Sequence, residues 1–173
     1  MKINFFKILI FIFIIFFLSI FWLGLKKDNN YNTKNLIGSK ITSFQLPSIH
    51  NSDLISDKDL NQNRFTLINF FASWCAQCRL EHKYLIKLAN QNKKIKILGI
   101  NFKDNKNNAL SFLNELGDPY NFVAEDTDGK ASIFFGIYGI PESILINQNL
   151  TIIKKIIGPI DEKQFMEILK LIQ

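Results

Sequence analysis

The chain of 173 residues holds two cysteines, Cys75 and Cys78, in the segment SWCAQC. This segment lies between an apolar run, Phe65 to Phe71, and a stretch in which apolar residues recur at helical spacing. The N-terminus of a helix stabilises a thiolate, which is the attacking species in disulfide exchange. We therefore expect Cys75 to be the nucleophile and Cys78, one turn further along the helix, to resolve the mixed disulfide.

Two other uses of the cysteine pair are compatible with its spacing. A structural disulfide here would close a loop of about four residues and stabilise the fold by roughly 2 kcal/mol, less than a long-range bridge. A zinc site would require His50 and His82, the two histidines of the chain, as further ligands. Three of those ligands would then lie on one short helix, so the pattern favours a redox pair and no metal site.

Glu81 follows Cys78 by three positions, so their side chains are neighbours along the predicted helix. A carboxylate there can take the proton of Cys78 during its attack, provided that burial raises the carboxyl pKa toward neutrality. The other interpretation is a solvated glutamate that pairs with Lys83 or Lys87. The position on the helix does not decide between the two.

An aromatic residue and a proline are further features to interpret. Trp74 directly precedes Cys75, which favours an exposed ring beside the cysteine over a core position. Ile140 and Pro141 interrupt a loop that leads into an apolar strand. Because an X-Pro bond is cis in only about 5 to 6% of cases in folded proteins, the sequence alone does not assign the isomer.

The apolar pattern predicts an α/β domain with the order strand, helix, strand, helix, hairpin, helix. Nearly continuous apolar runs predict buried strands at 65–71 and 95–102. The polar segment from His50 to Asn63 is expected to form a loop, and Asp128 and Asp161 are expected to cap helices. The remaining expected elements are helices at 76–90, 107–116, 128–135 and after 161, an extended stretch at 41–46, and strands at 122–123, 143–146 and 151–157.

Residues 8–25 contain no charge and no proline, and as a helix they cover about 27 Å at about 1.5 Å per residue. We expect residues 1–26 to form an uncleaved membrane anchor. A signal peptide is the alternative, but its apolar run is typically about 7 to 15 residues and ends in a small-x-small site, which we do not find. Two lysines lie on each side of the segment, so charge does not assign the orientation.

The polar residues 27–35 are expected to form a linker, and residues 36–173 the domain. The net charge of +6 is concentrated near the anchor, because four of the 21 basic residues flank it. Residues 28–173 carry the other 17 basic and all 15 acidic side chains, a net charge of +2. This balance excludes the basic footprint of a nucleic-acid-binding protein.

The segments FASWCAQCRLEH and YGIPESILIN together resemble the thioredoxin superfamily and, within it, the CcmG/DsbE branch of cytochrome c maturation proteins. The resemblance runs from about Leu36 to the C-terminus, and an N-terminal anchor is also a feature of that branch. It implies a mixed β-sheet flanked by helices, tethered to the bacterial inner membrane by one transmembrane helix, with the domain on the periplasmic side.

The same resemblance implies an activity and a set of site residues. The implied activity keeps the haem-attachment cysteines of apocytochrome c as thiols, and a membrane electron donor re-reduces the protein. Pro141 would be cis, beside the disulfide, where the substrate backbone pairs. No cofactor is implied besides the redox-active disulfide. The catalytic residues would be Cys75, Cys78 and Glu81, and the substrate-binding residues Trp74, Ile140, Pro141 and Glu142.

Two positions depart from the pattern of relatives. Ala76 and Gln77 separate the cysteines where many relatives have a proline, which leaves the reduction potential open. Asn69 stands where thioredoxins carry a buried aspartate, so Glu81 would have to accept the proton instead. Two other functions also stay open: a periplasmic disulfide reductase or oxidase with other protein clients, and a non-catalytic module that binds apocytochrome c.

Overall fold

The computed structural model describes residues 5–25, 36–91 and 94–173, so the linker expected at 27–35 lies outside the described residues. The chain divides into two compact units, Met1–Asn32 and Thr33–Gln173. The first unit holds helix α1, Phe5–Leu25. This helix is long and apolar enough to cross a membrane, which fits either an anchor or a signal sequence.

The second unit is built around a five-stranded mixed sheet. Its elements are β1 (Gln45–Pro47), β2 (Leu54–Ser56), α2 (Asp57–Leu60), β3 (Phe65–Phe71), α3 (Ala76–Gln91), β4 (Ile95–Phe102), α4 (Lys106–Leu116), β5 (Phe122–Asp126), α5 (Lys130–Phe134), β6 (Glu142–Asn147), β7 (Ile152–Ile157) and α6 (Glu162–Leu171). The strand order is β5-β4-β3-β6-β7, with β1 and β2 in a separate small sheet. Strand β4 runs parallel to β3 and β5, whereas β6 runs antiparallel to β3 and β7.

The central strand β3 alternates its side chains between two apolar layers, as a strand buried on both faces must. Ile68 and Phe70 pack in the layer that also contains residues of β1, β2 and α2. Leu67, on the opposite face, packs with Leu85 of α3. By this alternation Asn69 faces the same side as Leu67, toward the helix that carries the cysteines.

The strongest apolar patterns are predicted correctly. Strands β3 and β4 have the expected bounds, and α3 extends one residue beyond the expected helix at 76–90. The side chain of Asp161 caps α6 by accepting a hydrogen bond from the N–H of Gln164. The mixed sheet with flanking helices confirms the expected fold class.

The prediction of a loop from His50 to Asn63 is wrong, because β2 and α2 lie within that segment. The N–H and hydroxyl of Ser56 both donate to Asp59 Oδ2, at 2.7 and 2.8 Å, and so begin α2. Elements of three and four residues contain too few apolar positions to produce a periodic signal.

The prediction that Asp128 caps the helix α5 is also wrong. Helix α5 begins after Gly129, whose φ of 76° suits a residue without a Cβ atom. Among the N–H groups of the helix, only that of Lys130, the first residue, donates a hydrogen bond to Asp128. The buried carboxylate of Asp126 instead accepts from the N–H groups of Ala131 and Ser132, at 3.1 and 2.8 Å.

Candidate active site

The two cysteines lie where β3 ends and α3 begins. Cys75 and Cys78 form a disulfide with an S–S distance of 2.15 Å. The backbone N–H of Cys78 donates to Cys75 Sγ at 3.1 Å, so the first turn of α3 directs a hydrogen bond at this sulfur. Cys75 is 6% exposed and Cys78 1%, which leaves Cys75 as the more accessible residue of the pair. This geometry suits attack by Cys75 and resolution by Cys78.

The connection before Cys75 is held by a carboxylate that sequence reasoning missed. Asp104 accepts hydrogen bonds from the N–H and the hydroxyl of Ser73, at 2.6 and 3.1 Å, and from the amide of Asn101 at 3.1 Å. The indole N–H of Trp74 donates to the carbonyl of Lys103 at 3.2 Å. The Trp74 ring is 59% exposed, as expected for a residue beside the cysteine.

Glu81 is buried on the same face of α3 as Cys78. Its Oε1 accepts from the Asn69 amide and its Oε2 from the N–H of Ile160, both at 2.8 Å. Burial raises the pKa of Glu81 from an ordinary 4.5 to about 7, although both hydrogen bonds act in the opposite direction. The solvated glutamate paired with a neighbouring lysine is therefore excluded as the interpretation.

Asn69 links Glu81 to two residues that sequence reasoning missed. Its amide nitrogen also donates to Ser143 Oγ at 3.0 Å, and its oxygen accepts from the Tyr120 hydroxyl at 2.7 Å. Burial, with the charge of Glu81 next in effect, raises the pKa of Tyr120, so the phenol stays a donor. Ser143 lies 74 residues and Tyr120 lies 51 residues from Asn69 in the chain, too far for a local sequence signal.

The Tyr120 ring has room because the facing position on β4 is a glycine. A Cβ atom at Gly99 would lie 2.9 Å from Tyr120 Cγ and 3.0 Å from Phe71 Cε1. Without that atom the Tyr120 and Phe71 rings stack at 5.0 Å between centroids. Gly99 is also the β-ladder partner of Asn69.

His82 is a packing residue beside this network. It is buried, its Nε2 lies 2.8 Å from the carbonyl oxygen of Gly117, and its ring meets Phe112 edge-on. Burial lowers the pKa of His82, which keeps the ring neutral. Among residues 5–25, 36–91 and 94–173, no three His, Cys, Asp or Glu side chains converge as metal ligands would.

The loop before β6 lies beside the cysteines. The Ile140–Pro141 peptide bond is cis. Ile140 packs against the apolar cluster that contains Cys75 and Cys78. Glu142 is paired with Phe70 in the antiparallel ladder, which brings Pro141 to the end of β3 from which the cysteine segment continues.

Glu142 is buried under this loop. Its Oε1 accepts from the N–H groups of Tyr138 and Gly139, at 3.1 Å each. Its Oε2 lies 2.9 Å from Nζ of Lys155, a further residue that the sequence did not single out. The structure thus places Glu142 close to the cis proline and directs its carboxylate into the protein.

Comparison with known proteins accounts for this arrangement. The sequence profile of the Redoxin family matches residues 36–171. The chain belongs to this family. It is 38% identical over 136 residues to the thiol:disulfide interchange protein DsbE of Escherichia coli K12, covering 78% of this chain and 72% of that protein. The DsbE-type redoxins are thiol-disulfide oxidoreductases, and Cys75–Cys78 is the redox pair of this one.

Two other similarities support the same family and fold. The thiol:disulfide interchange protein CycY of Rhizobium leguminosarum bv. viciae is 49% identical over 98 residues, which covers 57% of this redoxin and about half, 52%, of CycY. The thioredoxin domain of a thiol-disulfide oxidoreductase from Bacteroides vulgatus superposes with a TM-score of 0.68 at 20% identity. It covers 79% of this chain and 98% of that domain, and it shows the shared thioredoxin fold.

Proposed function

We propose that this redoxin keeps the haem-attachment cysteines of apocytochrome c reduced, on the periplasmic side of a bacterial inner membrane. The client assignment is supported by the resemblance of the WCAQC and GIPE segments to the cytochrome c maturation branch and by the DsbE relatives. The observation that carries the chemistry is the buried carboxyl of Glu81, with a pKa of about 7, on the helix face of Cys78.

The proposed cycle begins with the Cys75 thiolate attacking a disulfide of the client. This step forms a mixed disulfide and expels the other client sulfur as a thiolate, which takes up a proton. Glu81 then accepts the proton of Cys78, and the Cys78 thiolate attacks Cys75 Sγ and expels the second client sulfur as a thiolate, which also takes up a proton. The client gains two electrons and two protons, and the enzyme is left with the Cys75–Cys78 disulfide present in the structure.

We assign contact with the client to the residues around the cysteine pair. Trp74 offers an exposed indole face beside Cys75. Ile140 and the cis Pro141 lie at the end of β3, where an extended client segment can pair with the loop backbone. Glu142 contributes from beneath this loop.

We assign the anchoring role to α1, as an uncleaved transmembrane helix. A membrane protein of the thiol-reducing pathway would then supply the two electrons that convert the disulfide back to two thiols. The tether keeps the domain close to that donor, which raises the effective concentration of each for the other.

Trapping of the mixed disulfide tests the client and the roles of the two sulfurs. In Cys78→Ser the cycle stops after the first attack, so we expect apocytochrome c bound covalently to Cys75 of the full-length chain in non-reduced membrane extracts. The matched variant Cys75→Ser should trap nothing. Other proteins in the adduct would assign a reductase or oxidase with different clients, and an adduct through Cys78 would reverse the two roles.

Complementation separates catalysis from binding. A double Cys75→Ser, Cys78→Ser variant should fail to restore holocytochrome c in cells that lack the protein. Full restoration would mean that the chain acts as a non-catalytic module that binds apocytochrome c.

A further inference from the structure

A buried ion pair lies beneath the loop that ends in Pro141. Lys155 Nζ is 2.9 Å from Glu142 Oε2, and the two side chains are 0% and 4% exposed. Removing two charges from water is costly, and well-packed apolar residues often stabilise a fold equally well. The pair therefore calls for a role besides stability.

The contacts of the pair converge on the loop from Gly136 to Pro141. Glu142 accepts hydrogen bonds from the N–H groups of Tyr138 and Gly139. Lys155 donates to the carbonyl of Gly136, and its ammonium lies 5.8 Å from the centre of the Tyr138 ring. Two side chains thus bind both donor and acceptor groups of the backbone directly before Ile140.

Resting on the function proposed above, we propose that Lys155 is a positioning residue that acts through Glu142. The pair holds the loop in the orientation in which a client backbone aligns beside Cys75. Ile140 connects the loop to the cysteine pair, because it belongs to this loop and packs against the apolar cluster that contains the two cysteines. Lys155 therefore favours disulfides carried on a peptide backbone over disulfides that have none.

The test variant removes both charges together, Glu142→Leu with Lys155→Met. Apolar side chains in place of a buried pair are compatible with a stable fold, whereas Lys155→Met alone would leave a buried carboxylate unpaired. The matched control is Lys154→Met. Lys154 is the neighbouring lysine of β7, is partly exposed, and pairs with Glu167 of α6.

Each full-length variant, reduced and in detergent micelles, is assayed with three disulfides. Two are oxidised peptides, one with a Cys-X-X-Cys-His haem-attachment sequence and one with its histidine replaced. The third, bis(2-hydroxyethyl) disulfide, has no peptide backbone. We expect the ratio of kcat/KM for either peptide to that for the small disulfide to fall by about ten- to a hundredfold in the double variant. In Lys154→Met this ratio should match the unmodified protein.

Hydrogen exchange at the N–H groups of Tyr138 and Gly139 gives a second readout that needs no client. We expect faster exchange at both in the double variant only. Unchanged exchange, an unchanged ratio of rates, or an equal loss for all three disulfides would each overturn the role of Lys155. If the unmodified protein reduces both peptides equally, the apocytochrome assignment fails, while the ratio and the exchange rates still decide the role of Lys155.

Discussion

At the scale of single residues, Glu81 combines two opposing influences. Both carboxylate oxygens accept hydrogen bonds, which favour the charged form, yet burial outweighs them and raises the pKa to about 7. A general base is most effective when its pKa lies near the operating pH. A carboxyl group with a pKa of about 7 on the helix face of Cys78 therefore suits the proton transfer proposed above.

The rate at which Cys78 resolves the mixed disulfide should report this proton transfer. In the unmodified protein we expect the rate to rise with pH through about 7, as Glu81 loses its proton and becomes a base. Glu81→Gln should slow resolution by about a hundredfold or more at pH 7.5 and remove the inflection. Stopped-flow measurement of client release gives the profile, and Glu115→Gln, at an exposed glutamate, serves as control. The same inflection in Glu81→Gln would contradict the assignment.

Stability should depend on pH through the same carboxyl group. The pKa of Glu81 is about 7 in the folded protein, whereas it is about 4.5 in the unfolded chain. Between these two pH values the folded protein keeps the proton that the unfolded chain has lost. The stabilising contribution is therefore complete below pH 4.5 and is lost as the pH rises to about 7, by about 3 kcal/mol. Urea unfolding of the full-length chain at several pH values measures this loss, and Glu81→Gln should lack it. Parallel pH curves for the two proteins would contradict the prediction.

At the scale of elements, the start of α5 controls how the chain enters the loop from Gly136 to Pro141. The carboxylate of Asp126 binds two N–H groups of the first turn and the hydroxyl of Ser132. Since α5 has only five residues, it depends on this anchor more than on helix propensity. Asp126 therefore has a structural role directly before the loop from Gly136 to Pro141.

Asp126→Ala should lower the free energy of unfolding by about 3 kcal/mol or more, because it leaves buried donors without their acceptor. Asp128→Ala is the matched control, since that side chain is exposed, and it should change little. Urea unfolding of both variants in detergent micelles gives the comparison. Equal effects of the two substitutions would show that Asp126 does not anchor the helix.

The sequence predicts elements well where the signal is local. Strands β3 and β4 could be placed to the residue because each is a nearly continuous apolar run. The surroundings of Glu81 could not be predicted, because its hydrogen-bond partner Ile160 lies 79 residues away and meets it only through packing of the C-terminal segment. Lys155 was missed for a similar reason, since a lysine in a strand gives no sign that it is buried.

At the scale of the whole molecule, the chain divides into two compact units. Helix α1 has the length and composition of a membrane span, and the mixed sheet carries the redox pair. The relatives and the fold identify the second unit. Helix α1 is either kept as a membrane anchor or removed as a signal sequence, and the mature proteins in these two cases differ in mass and in solubility.

We expect the chain to remain uncleaved in the membrane. Intact-mass measurement of protein extracted from membranes should give the full 20.1 kDa, and washing at high pH should not release it. A smaller, soluble protein would instead show that α1 is a signal sequence. In that case the domain would reach its electron donor by diffusion.

Gly99 has no functional group, yet its lack of a side chain shapes the surroundings of Glu81. A methyl group on β4 would press against the Tyr120 ring, whose hydroxyl fixes the Asn69 amide that in turn binds Glu81. The surroundings of the Glu81 carboxyl therefore depend partly on the absence of a side chain on the far side of a tyrosine. A search for functional positions that considers only polar side chains would overlook this one, although a Cβ atom there has no room beside Tyr120 and Phe71.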